Sequence, residues 1–162
     1  MVRLDKREVL EALRARVERD LAALTASQAA SQAGATHEEA RPEGDKDMRA
    51  TEASYLARGL ARRVAELQQV RSLLQTLSPK PFAPEDPIAL SALVTTEDEG
   101  GRTERTLLVP AGGGKVTVRG VVVGIVTPEA PLGEALLGKR AGDDVELETP
   151  QGMRALSISA VE

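Results

Sequence analysis

Two stripes of leucine and valine, stepping by three or four residues, constrain this chain more than any other feature. The first runs Leu10, Leu13, Val17, Leu21, Leu24, and the second Leu56, Leu60, Val64, Leu67, Val70, Leu74, Leu77. Such steps keep each stripe on one narrow side of a helix, the seam of a coiled coil. The residues around them are rich in Ala, Arg, Glu and Gln, all good helix formers, and Pro42 is the only proline among residues 1–78. Between the stripes lies Gly34-Ala-Thr-His-Glu-Glu-Ala-Arg-Pro-Glu-Gly-Asp-Lys-Asp47, polar and without apolar periodicity. Pro42 and Gly44 are expected to break the helix there. Two arms of similar length about one break fold back most simply as an antiparallel hairpin. Arms of about 30 residues would span roughly 45 Å at 1.5 Å per residue. Residues 1–78 are therefore expected to form a coiled-coil finger with an acidic tip near residues 36–47. A dimerising coiled coil with a plain loop fits the same periodicity and stays open as an alternative.

Ser78-Pro-Lys-Pro-Phe-Ala-Pro-Glu-Asp-Pro87 holds four prolines in ten residues and reads as a stiff linker over 79–87. Beyond it the pattern changes to short apolar runs at 88–94, 106–109, 115–126, 144–148 and 155–161, with Gly100-Gly101 and Gly112-Gly113-Gly114 as turns. Val116 to Val126 is β-branched enough for a central strand, and Pro131 to Gly138 supplies one short helix stopped by its glycine. The expected fold class is α+β: a helical hairpin, then a small antiparallel β domain over 88–162 with one helix packed on it.

Composition removes several functions. The chain has no cysteine and one histidine, His37, so disulfides, zinc ribbons, cysteine nucleophiles and two-histidine metal sites are out. His37 itself reads as a surface residue of a polar loop. Aromatics are 1% of the residues, which leaves no basis for a base-stacking site. Residues 1–78 carry 13 basic against 12 acidic side chains, and residues 79–162 carry 8 against 13. Neither half has the positive excess of an independent DNA or RNA binder, so a protein partner is expected. The triple glycine lacks the spacing of a phosphate loop. No apolar run approaches a membrane span, and the charged N-terminus does not open a signal peptide. A cytoplasmic protein is the default expectation, and a monomer if the hairpin closes on itself.

Thr127 to Gly152 carries a resemblance. Ala130-Pro131, Leu136-Leu137-Gly138-Lys139, Gly142-Asp143 and Pro150-Gln151-Gly152 resemble the C-terminal signature of the bacterial Gre-type transcription elongation factors, whose usual Ser-Pro is Ala-Pro here. The order of parts is also similar. The resemblance implies an FKBP-like β domain docking on RNA polymerase, through Pro131, Leu132, Gly133, Leu136, Leu137, Gly138 and Lys139. It implies a coiled coil that enters the polymerase secondary channel and presents tip carboxylates to a second Mg²⁺, so that the polymerase cleaves backtracked RNA. The factor would bind no cofactor stably and would be no enzyme by itself. The tip departs from the family pattern, because no Asp-x-x-Glu stands in the break. The available acids are Glu43 and Asp47, four residues apart, with Glu38, Glu39 and Asp45 in reserve. A channel inhibitor or initiation regulator without cleavage, and an adaptor or chaperone module unrelated to transcription, remain the alternatives. Prolyl isomerase activity is not expected, since residues 88–162 contain no aromatic ring to wall its pocket.

Overall fold

The computed structural model describes residues 2–38 and 43–162, with side chains described outside 32–47. Two long helices come first, α1 (Lys6–Glu38) and α2 (Glu43–Thr76). Asp5 caps α1: its carboxylate accepts the Arg7 N–H at 2.9 Å, satisfying one of the unpaired donors of the first turn. Gly34 and His37 lie within α1 and Gly44 within α2, so the expected break at 34–47 narrows to the residues between Glu38 and Glu43, outside the described set. The helix-forming alanines around Gly34 outweigh one glycine, whose cost is only about 1 kcal/mol.

By compactness the chain divides into Met1–Arg14 with Leu73–Glu162, and Ala15–Ser72. Within Ala15–Ser72, Val17 and Leu21 are buried, and Leu24, Leu60, Val64, Leu67 and Val70 are half-buried. Glu18 meets Arg71 at 3.7 Å, and a shallow groove joins Asp20, Ala23 and Leu24 to Arg63, Glu66 and Leu67. Position numbers rise on α1 as they fall on α2, so the arms are antiparallel. One seam residue is misplaced by the sequence pattern: Leu56 is 59% exposed. The half-buried positions there are Ala53 and Ala57, which continue the steps of three and four down from Leu60 and put Leu56 on the flank.

The other unit holds the start of α1, the end of α2 and a six-stranded sheet. Its strands are β1 (Leu93–Asp98), β2 (Thr103–Leu108), β3 (Lys115–Val118), β4 (Val121–Val126), β5 (Asp144–Thr149) and β6 (Gly152–Val161), with the short helix α3 (Pro131–Leu136) between β4 and β5. Their spatial order is β3-β4-β2-β1-β6-β5. All neighbours are antiparallel except β2 and β4, which run parallel with Arg105 opposite Val123. The sheet is thus mostly, not wholly, antiparallel.

The expected single strand over Val116 to Val126 is a hairpin, with Val118 opposite Val121. Its two turn residues, Arg119 and Gly120, both have positive φ, 51° and 76°, as a tight hairpin matched to strand twist requires. The run at 88–94 is strand only from Leu93. Before it Ser91, at φ 75°, donates its N–H to the Leu108 carbonyl and accepts the Lys80 N–H on its hydroxyl.

Ile88, Val94, Leu108, Leu136, Val145, Leu156, Ile158 and Val161 form the core on the α3 side, with Phe82 packed against it. Leu93, Leu107, Val123 and Ile125 lie on the other face by register, and all are buried, as are Leu4, Val9, Leu10, Leu13 and Leu74 in the same unit. Arg14 fastens the two helix ends there. Its guanidinium donates to the Leu74 carbonyl from Nε and Nη2 and to the Leu77 carbonyl at 3.0 Å, capping the last turn of α2 from outside.

Candidate functional site

The segment from Ala130 to Asp143 is built almost entirely by backbone constraints. Pro131 occupies the first turn of α3, where its missing N–H costs nothing and its fixed φ fits the helix. Gly138, at φ 79°, ends the turn after Leu137. It donates its N–H to the Ile88 carbonyl at 2.9 Å, and the Lys139 carbonyl accepts the Ile88 N–H at 2.7 Å. Arg140 donates from Nε to the Glu85 carbonyl, and the Asp143 carboxylate accepts the Arg140 N–H. The linker and the loop after α3 are therefore stitched together.

The expected docking residues separate into two kinds. Leu136 is fully buried in the core and Gly133 is buried. A Cβ on Gly133 would sit 1.9 Å from the Thr127 carbonyl oxygen, so only glycine lets α3 pass that close to the chain leaving β4. These two residues serve the fold. Pro131, Gly138 and Lys139 are exposed and Leu132 is half-buried, while Leu137 keeps 46% of its surface exposed. The surface open to a partner is thus Pro131, Leu137, Gly138 and Lys139, held rigidly from beneath.

The acidic turns are occupied locally. The Asp98 carboxylate accepts the Arg102 N–H at 2.9 Å and the Gly100 N–H at 3.0 Å, and these donors hold its pKa below the ordinary carboxylate range. The charged flanks of the helices pair only partly across the hairpin. Arg71 meets Glu18, but Arg62 pairs with Glu66 on its own helix, Glu11 with Arg14, and Glu8 with Arg119 on the β3–β4 turn at 2.6 Å.

A feature the sequence did not signal surrounds Lys6. Its ammonium donates to the carbonyls of Lys80 and Glu162 and lies 4.5 Å above the Phe82 ring. Burial pulls its pKa down from 10.5 to about 8, against the opposing pull of Glu162 and Asp5. Lys6 therefore fastens the start of α1 to the linker and to the end of β6.

Of the tip acids, Glu39 lies outside the described residues, and the side chains of Glu38, Glu43, Asp45 and Asp47 do also. The backbone shows that α2 begins at Glu43, so Glu43 and Asp47 stand one helical turn apart. Among the described residues no group of three His, Cys, Asp or Glu side chains could hold a metal ion. No described helix is long and apolar enough to cross a membrane.

Residues 83–162 match the family described as the C-terminal part of transcription elongation factors GreA and GreB. Transcription elongation factor GreA of Cereibacter sphaeroides is 31% identical over 99 residues, 61% of this chain and 62% of that protein. GreA of Streptococcus pneumoniae is 33% identical over 78 residues, 48% of this chain and 46% of that protein. Each match spans less than two thirds of the relative's own length. Among solved structures, Thermus aquaticus Gfh1 is similar at 22% identity with a TM-score of 0.41, covering 94% of this chain and 95% of that one; so loose a superposition adds no weight.

Proposed function

We propose that this chain, whose residues 83–162 match the C-terminal part of the GreA and GreB factors, is a Gre-type transcription elongation factor that works on bacterial RNA polymerase through the secondary channel. The observation that carries the reading is the family match over residues 83–162 on a chain that begins with an antiparallel helical hairpin. The exposed edge of the α3 turn, Pro131, Leu137, Gly138 and Lys139, docks on the polymerase. The hairpin enters the channel with its turn leading. Glu43 and Asp47, whose backbones stand one turn apart at the start of α2, are the carboxylates proposed for this role, since Mg²⁺ prefers hard oxygen donors. A second Mg²⁺ at the polymerase centre would supply activation of water for in-line attack on backtracked RNA. The chain's own residues would only hold and orient. It is a monomer that catalyses nothing alone, binds no nucleic acid independently and acts in the cytoplasm.

The absence of Asp-x-x-Glu between residues 34 and 47 favours a second reading, in which the same docking obstructs the channel and slows the polymerase without cleavage. Stalled complexes carrying backtracked RNA separate the two across a Mg²⁺ titration. On the first reading wild type shortens the RNA, and Glu43→Gln with Asp47→Asn abolishes this while binding is kept. Wild type inert at every Mg²⁺ concentration, yet bound, selects the second. A double variant as active as wild type would place the chemistry on other acids.

A further inference from the structure

Anchoring does not exhaust what surrounds Lys6. Its side chain lines a surface cavity of about 470 Å³ together with Arg3, Leu4, Asp5, Arg119 and Glu162. Its Nζ donates to the carbonyls of Lys80 and Glu162, and burial draws its pKa down to about 8. A neutral amine has two N–H groups and one lone pair. The two carbonyls can accept both N–H groups, so the lone pair is left without a hydrogen-bonding task. Desolvation that favours the neutral form is what makes a lysine a nucleophile.

The other charges of the cavity decide which electrophile it suits. Arg3 is exposed, and among the described residues no ion pair engages it. Arg119 gives Nη2 to Glu8 at 2.6 Å, which leaves the rest of its guanidinium for another acceptor. Asp5 and Glu162 are the acids that act on Lys6, and the Asp5 carboxylate already accepts the Arg7 N–H. Guanidinium groups match the oxygens of a phosphate. An acyl phosphate carries that group directly on its acyl carbon, so a donor held by Arg3 and Arg119 brings the carbon into the cavity that Lys6 lines.

We propose that Lys6 is a modification site, acylated by small acyl phosphates held through Arg3 and Arg119. The Nζ lone pair attacks the acyl carbon and forms the N–C bond. The bond from that carbon to the phosphate oxygen breaks, and inorganic phosphate leaves with the electron pair and takes the proton that the nitrogen sheds. Nothing is oxidised or reduced. The amide so formed is uncharged and keeps one N–H where the amine had two. It therefore loses one of the two carbonyls and the cation's contact with the Phe82 ring. Acylation unfastens the start of α1 from the linker or from the end of β6.

Full-length protein incubated with acetyl phosphate at pH 8, followed by peptide mass spectrometry across the five lysines, tests this. At that pH about half of an amine with this pKa is neutral, against roughly 0.4% of one at the ordinary lysine value. Lower basicity takes back part of the advantage, so Lys6 should be acetylated about tenfold faster than Lys46, Lys80, Lys115 or Lys139. Arg3→Gln with Arg119→Gln should slow labelling of Lys6 by acetyl phosphate about tenfold. Labelling by acetic anhydride, which carries no phosphate, should stay nearly the same in that variant. Labelled wild type should melt below unlabelled protein, while Lys6→Arg given the same treatment should not shift. Lys6 labelled no faster than the other lysines overturns the site. Equal slowing with both donors, or no slowing with either, overturns the arginine-held acyl phosphate. An unchanged melting temperature at full Lys6 occupancy overturns the unfastening of α1.

Discussion

At the scale of single residues, Gly133 and Gly138 both lie in the α3 segment but are needed for different reasons. Gly133 has backbone 1.9 Å from where a Cβ would stand, whereas Gly138 has open space and a φ of 79°. Gly133→Ala should therefore cost about 2–4 kcal/mol by overpacking against a carbonyl that cannot retreat. Gly138→Ala should cost about 1–2 kcal/mol from backbone strain alone. Urea unfolding of the two variants checks the order, and equal losses would refute it. Lys6 gives a pH signature. The unfolded amine keeps its proton to about pH 10.5 and the folded one only to about 8. Between those values the unfolded state binds more protons, so stability should rise with pH there and show no Lys6 slope below it. Lys6→Met should remove the rise relative to wild type. Parallel profiles for the two proteins would count against the burial of the amine. The glycines were legible as part of that segment, but which of them packs was not, because a close approach between α3 and the chain after β4 leaves no periodic trace. Lys6 was illegible for a related reason: its partners, Lys80 and Glu162, are carbonyls distant in sequence.

At the scale of elements, the end of α2 depends on α1. Without Arg14 the Leu77 carbonyl would lose this donor, and the Leu74 carbonyl would keep the Leu77 N–H at 3.3 Å. Arg14→Ala should destabilise the fold by about 1–2 kcal/mol, with Arg14→Lys recovering little, since a point charge cannot span two carbonyls as a planar fork does. Thermal melts of the three proteins measure this. Helix existence and seam were legible because Leu10, Leu13, Val17, Leu21 and Leu60 to Leu74 repeat at the helical period. The phase slipped at Leu56, where side-chain size pointed outward and the alanines turned in. The strands were legible as apolar runs, but the run from Val116 to Val126 concealed a turn, since Arg119 is not a residue that advertises positive φ. No local pattern announces that β2 and β4 pair in parallel.

At the scale of the molecule, composition changes at Ser78, but compactness does not. Leu4, Val9, Leu10, Leu13 and Leu74 are buried in the unit that contains the sheet. A fragment starting at Pro79 would lose the cover these side chains give. It should unfold at a lower temperature and bind an apolar dye, whereas a chain cut within Ala15–Ser72 and closed by a short linker should keep the sheet intact. Equal melting of the 79–162 fragment and the intact protein would contradict the shared core. The change of pattern at Ser78 was legible in the sequence, but the grouping of Met1–Arg14 with Leu73–Glu162 was not: the stripe on α1 looks the same whether it faces a helix or a sheet. The strand order has a consequence for how the protein is made. β1 sits between β2 and β6, with Val94 opposite Val161, so the middle of the sheet waits for residues synthesised 67 positions later. On the ribosome the β3–β4 hairpin and the turns of each helix pair residues close in sequence and can form early, whereas the base of α1 waits, like β1, for the chain's last residues. The apolar edge of β1 stays unpaired until β6 clears the exit tunnel, which makes that interval, rather than the folded state, the moment when this chain is open to chaperones and to aggregation.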